Sequence, residues 1–354
     1  MKRITVGIVG FGKMGRVRAD AVVRHPALRL AAVADPKLDA AALPSGCPAF
    51  DSADALLTHG VDAVFVCTPN AITTDVVIAA LEAGCHVFSE KPPGRDLPDV
   101  HRIREAEARH SGQKLKFGFN HRYHGAVRQA LALVRTGTLG RLLWVRGVYG
   151  KSGGDGFEES WRSSREIAGG GILLDQGIHM LDLFRAFCGD FVEVKSFVSR
   201  SFWERIGVED NAFALLRSAR GEVAMLHSSA TQWKHRFSLE IFLSGGYVAV
   251  NGILSSTRSY GRETLVVARR QPDETRAPGD PREETTFFDE DSSWAAEVAE
   301  FTDCILRDRP VVVGTSEDAL RAMELVYRIY EDDKSWLGSL SAGETRAVRE
   351  GGHP

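Results

Sequence analysis

Cysteine is scarce in this chain and nowhere clustered. The 5 cysteines, Cys47, Cys67, Cys85, Cys188 and Cys304, are an odd number without a C-x-x-C pair. That pattern excludes a disulfide framework, gives no reason to expect a metal, and fits reduced, mostly buried thiols of a cytoplasmic protein. Long hydrophobic runs are missing too. No apolar stretch approaches the ~20 residues that span a bilayer, so no membrane partner is expected. The opening "MKRITVGIVG" is basic and then apolar, as a secretory signal would be, but its short apolar run passes straight into glycines. A first β-strand explains it better. Nor does either charge dominate. The formal net charge is −3 and the positive residues are scattered, which argues against nucleic acid or another polyanion as partner. No internal repeat is present.

What remains is an ordinary globular composition, 44% hydrophobic and 26% charged over 354 residues. That length exceeds one comfortable core, so two domains are expected. From residue 3 to about 120, apolar β-rich runs ("ITVGIVG", "LRLAAVAD", "VDAVFVCTP", "CHVFSEKP", "KLKFGFN") alternate with amphipathic helical stretches, the pattern of a parallel sheet covered on both faces. The first turn, "GFGKMG", places Gly10, Gly12 and Gly15 in a G-x-G-x-x-G around Phe11, Lys13 and Met14. Each glycine has a role there: a tight turn, backbone approach to a pyrophosphate, and close helix–strand packing. The motif follows a strand, opens a helix and is answered by Asp35 at the end of the next strand, which is the context a dinucleotide site requires. A carboxylate at Asp35 accepts from both ribose hydroxyls and repels a 2′-phosphate, favouring NAD; nearby Lys37 could soften that preference and leaves NADP open. Thr68, Pro69 and Asn70 of "VCTPN" should wall the cofactor site, besides ending a strand and capping a helix. "SEKPPG" then sets Glu90 and Lys91 on the same rim, where an ammonium group can polarise a substrate oxygen.

With "GIVGFGKMG", "VCTPN", "SEKPPG", "FGFNHRY" and "WRSSREIAGGGILLDQGIHMLD" in this order, the chain resembles the Gfo/Idh/MocA oxidoreductases, a family that includes glucose–fructose oxidoreductase and inositol dehydrogenase. The resemblance runs from residue 3 to about 331. It implies an α/β protein: an N-terminal Rossmann domain, then an α/β domain on a large open, mostly antiparallel sheet. It also implies hydride transfer between a nicotinamide and a sugar-like or cyclitol carbon. By position, Lys91 matches the lysine of the family's E-K-P motif, which contacts the reacting oxygen, and Asp175 and His179 match its D-x-G-x-H pair. Thr73 stands where a histidine is often found, a departure that bears on packing rather than activity. The expected division is a dinucleotide domain over 1–122, a substrate-binding and oligomerisation domain over 123–337, and a flexible tail over 338–354.

The stretch "GGGILLDQGIH" sets Asp175 and His179 four apart on a mostly apolar helix, stacked about one α-helical turn from each other. The preceding glycines would let the backbone approach a ligand. On a solvent-facing helix such a pair is ordinary decoration; on a buried one both groups need partners, and a water-filled cleft supplies them. Oxidising a carbinol removes a hydroxyl proton, and histidine titrates near working pH. His179 is therefore expected as general base, Lys91 as hydrogen-bond donor to the oxygen that becomes a carbonyl, and Asp175 as the group that orients substrate or base. Asn120, Arg122, Trp161 and Arg162 are further substrate-contact candidates. His227, Trp233, Lys234, His235, Arg258 and Tyr260 are weaker ones, whose basic and aromatic character would suit a charged or nucleotide-linked sugar.

Strand-like segments recur from about 191 to 288, and helices return at "SSWAAEVAEFTDCILRD" and "TSEDALRAMELVYRIYEDD". A broad sheet with helices on one face leaves an apolar face to cover, so a homodimer or homotetramer through that face is expected. Two other readings compete with the NAD-dependent dehydrogenase: a hydride-shuttling enzyme with tightly bound NADP, and a non-catalytic dinucleotide and sugar sensor. Retention of Lys91, Asp175 and His179 speaks against the sensor, which needs no proton chemistry.

Overall fold

The structure is a computed structural model that describes residues 3–38, 43, 46–255, 257–270 and 279–338. The expected tail lies outside the described residues beyond Gly338, as does most of the polar excursion that begins at Gln271. In chain order the first elements are β1 (Ile4–Val9), α1 (Lys13–Arg24), β2 (Leu28–Ala34), β3 (Ala49–Phe50), α2 (Ala53–His59), β4 (Ala63–Val66), α3 (Asn70–Glu82), β5 (His86–Glu90), α4 (Leu97–Arg109) and β6 (Leu115–Gly118). After them come α5 (Gly125–Arg135), β7 (Leu142–Gly150), α6 (Arg165–Ala168), a π turn (Leu173–Gly177) and α7 (Ile178–Cys188). Then follow β8 (Phe191–Ser199), β9 (Asn211–Ser218), β10 (Val223–Ser229), β11 (Arg236–Leu243), β12 (Gly246–Asn251), β13 (Glu263–Arg269), β14 (Glu283–Phe288), α8 (Ser293–Leu306) and α9 (Ser316–Asp332).

These elements form two compact units. One comprises Met1–Gly125, Ser164–Gly169 and Glu290–Met323; the other comprises Ala126–Ser163, Gly170–Asp289 and Glu324–Pro354. The first is built on a parallel sheet in the order β3-β2-β1-β4-β5-β6. Its central strands are buried on both faces, as the near-continuous apolar runs require. Phe65 of β4 and Phe88 of β5 stack with centroids 4.9 Å apart, and Phe301 of α8 meets both edge-on, so a helix from near the end of the chain completes this core. Each such buried ring contributes on the order of 2 kcal/mol. Two elements were not evident from hydrophobic periodicity. Strand β3 has only two residues, and α2 is one short helix whose start is fixed by Ser52, whose side chain accepts from Ala55 N–H.

The second unit is an eight-stranded sheet in the order β14-β13-β12-β11-β7-β10-β9-β8. Only β7 and β10 run parallel; every other neighbouring pair is antiparallel. The strands expected between 191 and 288 all form. Burial alternates along most of β8, β9 and β10, and the outward face carries Phe197, Phe213, Leu215 and Met225 in the open, with Val192 exposed at a bulge. The inward face is covered by α7. Gly147 of β7 is where they meet, because a Cβ there would lie 2.5 Å from the Met180 sulfur. No described helix is long and apolar enough to cross a membrane.

The expected uniform helix after the glycines is corrected in one respect. Its first turn is a π turn, closed by Ile178 N–H donating to Leu173 C=O five residues back.

Candidate active site

In the first unit the glycine turn lies between β1 and α1, at the point where the strand order reverses, which is where open α/β sheets bind ligands. Gly10 has φ +88°, and a Cβ on it would stand 2.6 Å from the Cys67 carbonyl oxygen. A Cβ on Gly15 would stand 2.1 Å from Gly10 O, whereas Gly12 faces open space. Helix α1 starts without a side-chain cap and with no acidic residue in its first turn, so its end is electropositive. Asp35 is tied to this turn: its carboxylate accepts Phe11 N–H at 2.7 Å and Lys37 N–H at 2.8 Å. A pyrophosphate over the exposed Gly12 and Lys13, beside half-buried Met14, with a ribose at Asp35, fits this cradle.

On the adjoining loop Thr68 Oγ1 pairs with Thr73 Oγ1 at 2.9 Å, so the residue that departs from the family's usual histidine ties the turn to α3. Pro69 precedes α3, and buried Asn70 donates to Ala168 C=O of α6 at 2.7 Å. Lys91 is half-buried and joined to Pro92 by a cis peptide bond. Its neighbour Glu90 is nearly buried and accepts Arg18 Nε–H at 2.6 Å, while Arg18 Nη2 reaches Glu297 of α8 at 2.7 Å. Arg18 is wholly enclosed and packs over the Phe88 and Trp294 rings. Burial alone would lower its pKa, but Glu90 and Glu297 raise it, so the guanidinium is always charged. Burial lifts Glu297 to about 7 against the pull of Arg18 and Lys116. Asn120 is buried and pairs with His121 at 3.0 Å, and Arg122 bonds Asp318 at 3.2 Å.

In the second unit Arg162, with Trp161 stacked on it, meets Asp175 at the π turn and Tyr260 reaches it through Gln176, whereas His227 stacks on Phe213 and Trp233 packs against Phe202. Glu209, fully enclosed, accepts Gly171 N–H at 2.8 Å, Leu173 N–H at 2.9 Å and the Tyr330 hydroxyl at 2.7 Å. Burial raises its pKa, against the lowering effect of those donors. The glycines that precede the turn are needed for this packing: a Cβ on Gly170 would lie 2.4 Å from the Tyr330 hydroxyl, and one on Gly171 would lie 2.1 Å from Glu209 O. Ser228 Oγ–H caps Ile172 C=O at 3.0 Å. The Asp175 carboxylate is held by Lys151 Nζ at 3.0 Å, with Arg162 Nε at 3.6 Å and Arg162 itself stacked on Trp161. His179 is buried, its ring centroid 6.5 Å from that of Tyr149. Gln176 Nε2 donates to the Tyr260 hydroxyl at 2.9 Å. His235 pairs with Ser152 at 3.0 Å and Ser259 at 2.8 Å, and burial together with Lys151 lowers its pKa. Burial also raises Tyr149 well above the usual phenol range and takes Tyr260 to about 12, so both hydroxyls keep their protons.

The sequence alone does not point to Arg18, Lys151, Gln176 or Glu209. Arg18 reads as a surface helix residue, Lys151 as part of a glycine-rich loop, and Glu209 as a strand-edge acid. Only "DQG", where Gln176 adjoins Asp175, offered a local signal.

Two family models match the chain: an oxidoreductase family with an NAD-binding Rossmann fold over residues 4–119, and a GFO/IDH/MocA C-terminal domain over residues 127–249. The chain belongs to the Gfo/Idh/MocA family. It is 32% identical to D-glucoside 3-dehydrogenase of Escherichia coli (strain K12) over 250 residues, 64% of this chain and 70% of that one. It is 28% identical to levoglucosan dehydrogenase of Pseudarthrobacter phenanthrenivorans over 274 residues, 65% of this chain and 68% of that protein. The solved levoglucosan dehydrogenase complex with NADH and levoglucosan superposes with a TM-score of 0.84 at 21% identity, covering 95% of this chain and 98% of that one. As a Gfo/Idh/MocA member with an intact dinucleotide turn, the protein is an NAD(P)-dependent oxidoreductase.

Proposed function

We propose that this enzyme transfers a hydride between NAD and a secondary alcohol or ketone of a sugar, cyclitol or sugar derivative. The observation that carries the reading is Asp35, locked onto the glycine turn by Phe11 N–H in a unit of this family. The names of the relatives, a glucoside dehydrogenase and a levoglucosan dehydrogenase, support the substrate class. When bound, the nicotinamide supplies the hydride acceptor. In oxidation, His179 takes the hydroxyl proton while the carbinol carbon gives up its hydride, and Lys91 donates a hydrogen bond to the oxygen as it becomes a carbonyl. Asp175, fixed by Lys151 and Arg162, orients the substrate. Reduction reverses these steps. A carboxylate at Asp35 favours NAD over NADP.

The open apolar face of β8, β9 and β10 supports self-association as a homodimer or homotetramer. The thiols, none of them paired among the described residues, suit a reducing compartment such as the cytoplasm. The function is tested by offering deuterium-labelled NADH with a panel of keto-sugars. Label appearing on a product carbinol carbon supports it. Binding of dinucleotide and sugar without label transfer would favour the sensor, and cofactor that survives dialysis would favour the hydride shuttle.

A further inference from the structure

Tyr260 sits between two groups that bond its hydroxyl. Gln176 Nε2 donates to its oxygen at 2.9 Å. Tyr149, edge-on with ring centroids 5.5 Å apart, bonds the same hydroxyl. A phenol oxygen has two lone pairs and one proton. The Gln176 amide and the Tyr260 hydroxyl together carry more donor protons than the one bond between them uses, so the pair has a proton left to donate elsewhere. Reversing the Gln176 amide does not remove the surplus. Tyr260 would then donate to Gln176 Oε1, and the amide protons would go unspent. As placed, Gln176 Oε1 is buried without a hydrogen-bond partner. Either way the pair keeps a donor in reserve and one buried polar atom unmatched, which in a native interior calls for a ligand or water.

The surroundings narrow what that ligand is. The Asp175 carboxylate is close enough to raise Tyr260, Lys151 holds that carboxylate, and the His235 ring lies 5.2 Å from the Tyr260 ring. Donors and acceptors thus alternate beside aromatic rings, an arrangement matched by neighbouring hydroxyls on a saturated ring. It does not suit an isolated anion or a plain secondary alcohol. We propose that Tyr260, backed by Gln176 and Tyr149, is a specificity-determining residue that donates to a second, unoxidised ring hydroxyl of a polyhydroxylated substrate. This deepens, and rests on, the dehydrogenase reading.

Tyr260→Phe removes the hydroxyl and keeps the ring. Wild-type crystals with NADH are soaked separately with methyl β-D-glucoside, levoglucosan and myo-inositol, and each sugar and its monodeoxy analogues are titrated calorimetrically into both proteins. At least one sugar should place an oxygen within hydrogen-bond distance of Tyr260 Oη. Its Kd should rise ~10-fold in Tyr260→Phe, and one deoxy position that wild type penalises should lose its penalty. A purely structural role would weaken sugars and deoxy analogues alike and would overturn the proposal. So would bound sugars with no oxygen near Oη, or no binding of any of these sugars by wild type. Turnover is scored separately: a sugar bound at Tyr260 without hydride transfer supports this contact while defeating the dehydrogenase reading.

Discussion

Two turns, one in each unit, are held in place in different ways. The glycine turn of the first unit is fixed almost wholly by backbone against backbone: Gly10 against Cys67 O, Gly15 against Gly10 O, with the Asp35 carboxylate closing onto Phe11 N–H. The π turn of the second unit is held by side chains from distant strands and helices. Glu209 takes the Gly171 and Leu173 amides at its entry, Ser228 the Ile172 carbonyl, and Lys151 the Asp175 carboxylate. A backbone frame tolerates no added atom but needs no particular partners. A side-chain frame can yield by an ångström yet fails when one long-range partner is lost.

Alanine at each glycine breaks this comparison most sharply. Gly15→Ala drives a Cβ to 2.1 Å from a carbonyl oxygen that cannot move, and NADH affinity by fluorescence titration should fall ~100-fold or more. Gly170→Ala meets the end of the Tyr330 side chain, so it should cost only ~1–3 kcal/mol of stability and leave NADH affinity alone. Glu209→Ala strands two amides and a hydroxyl. Urea unfolding should show a loss of ~3 kcal/mol, with turnover reduced and NADH affinity kept. Asp35→Ala acts on the other unit, and the preference for NAD over NADP in KM should narrow ~10-fold.

Proton linkage gives the smallest and most specific difference. Burial holds the Glu209 pKa above its ordinary 4.5, so the folded state binds this proton more tightly than the unfolded chain. Its stabilising contribution is therefore present below 4.5 and is lost as pH rises through the folded value. Relative to Glu209→Gln, wild type should lose stability on going from pH 4.5 upward, measured as the difference in urea midpoints.

The contrast between the turns also explains what the sequence made legible. Gly10, Gly12, Gly15 and Asp35 lie within one strand–helix–strand unit, so spacing alone reveals them. The same holds for the strands of the antiparallel sheet, whose alternation and hairpin turns are local. Glu209, Tyr330 and Lys151 reach the π turn from other elements, and nothing near Asp175 in the chain announces them. The π turn itself was invisible because apolar periodicity near 3.6 does not distinguish one wide turn from an α-helical one. The Arg18 triad was hidden for the same reason: Glu297 lies in a helix far along the sequence.

The proposed chemistry has an imidazole, His179, take the proton when the carbinol is oxidised. NAD reduction should be followed with whichever sugar the wild type oxidises, in wild type and in His179→Ala, alongside NADH titrations of both. A fall in kcat of ~100-fold or more, with NADH Kd essentially unchanged, is the expected result. A variant that turns over the same sugar at close to the wild-type rate would contradict it.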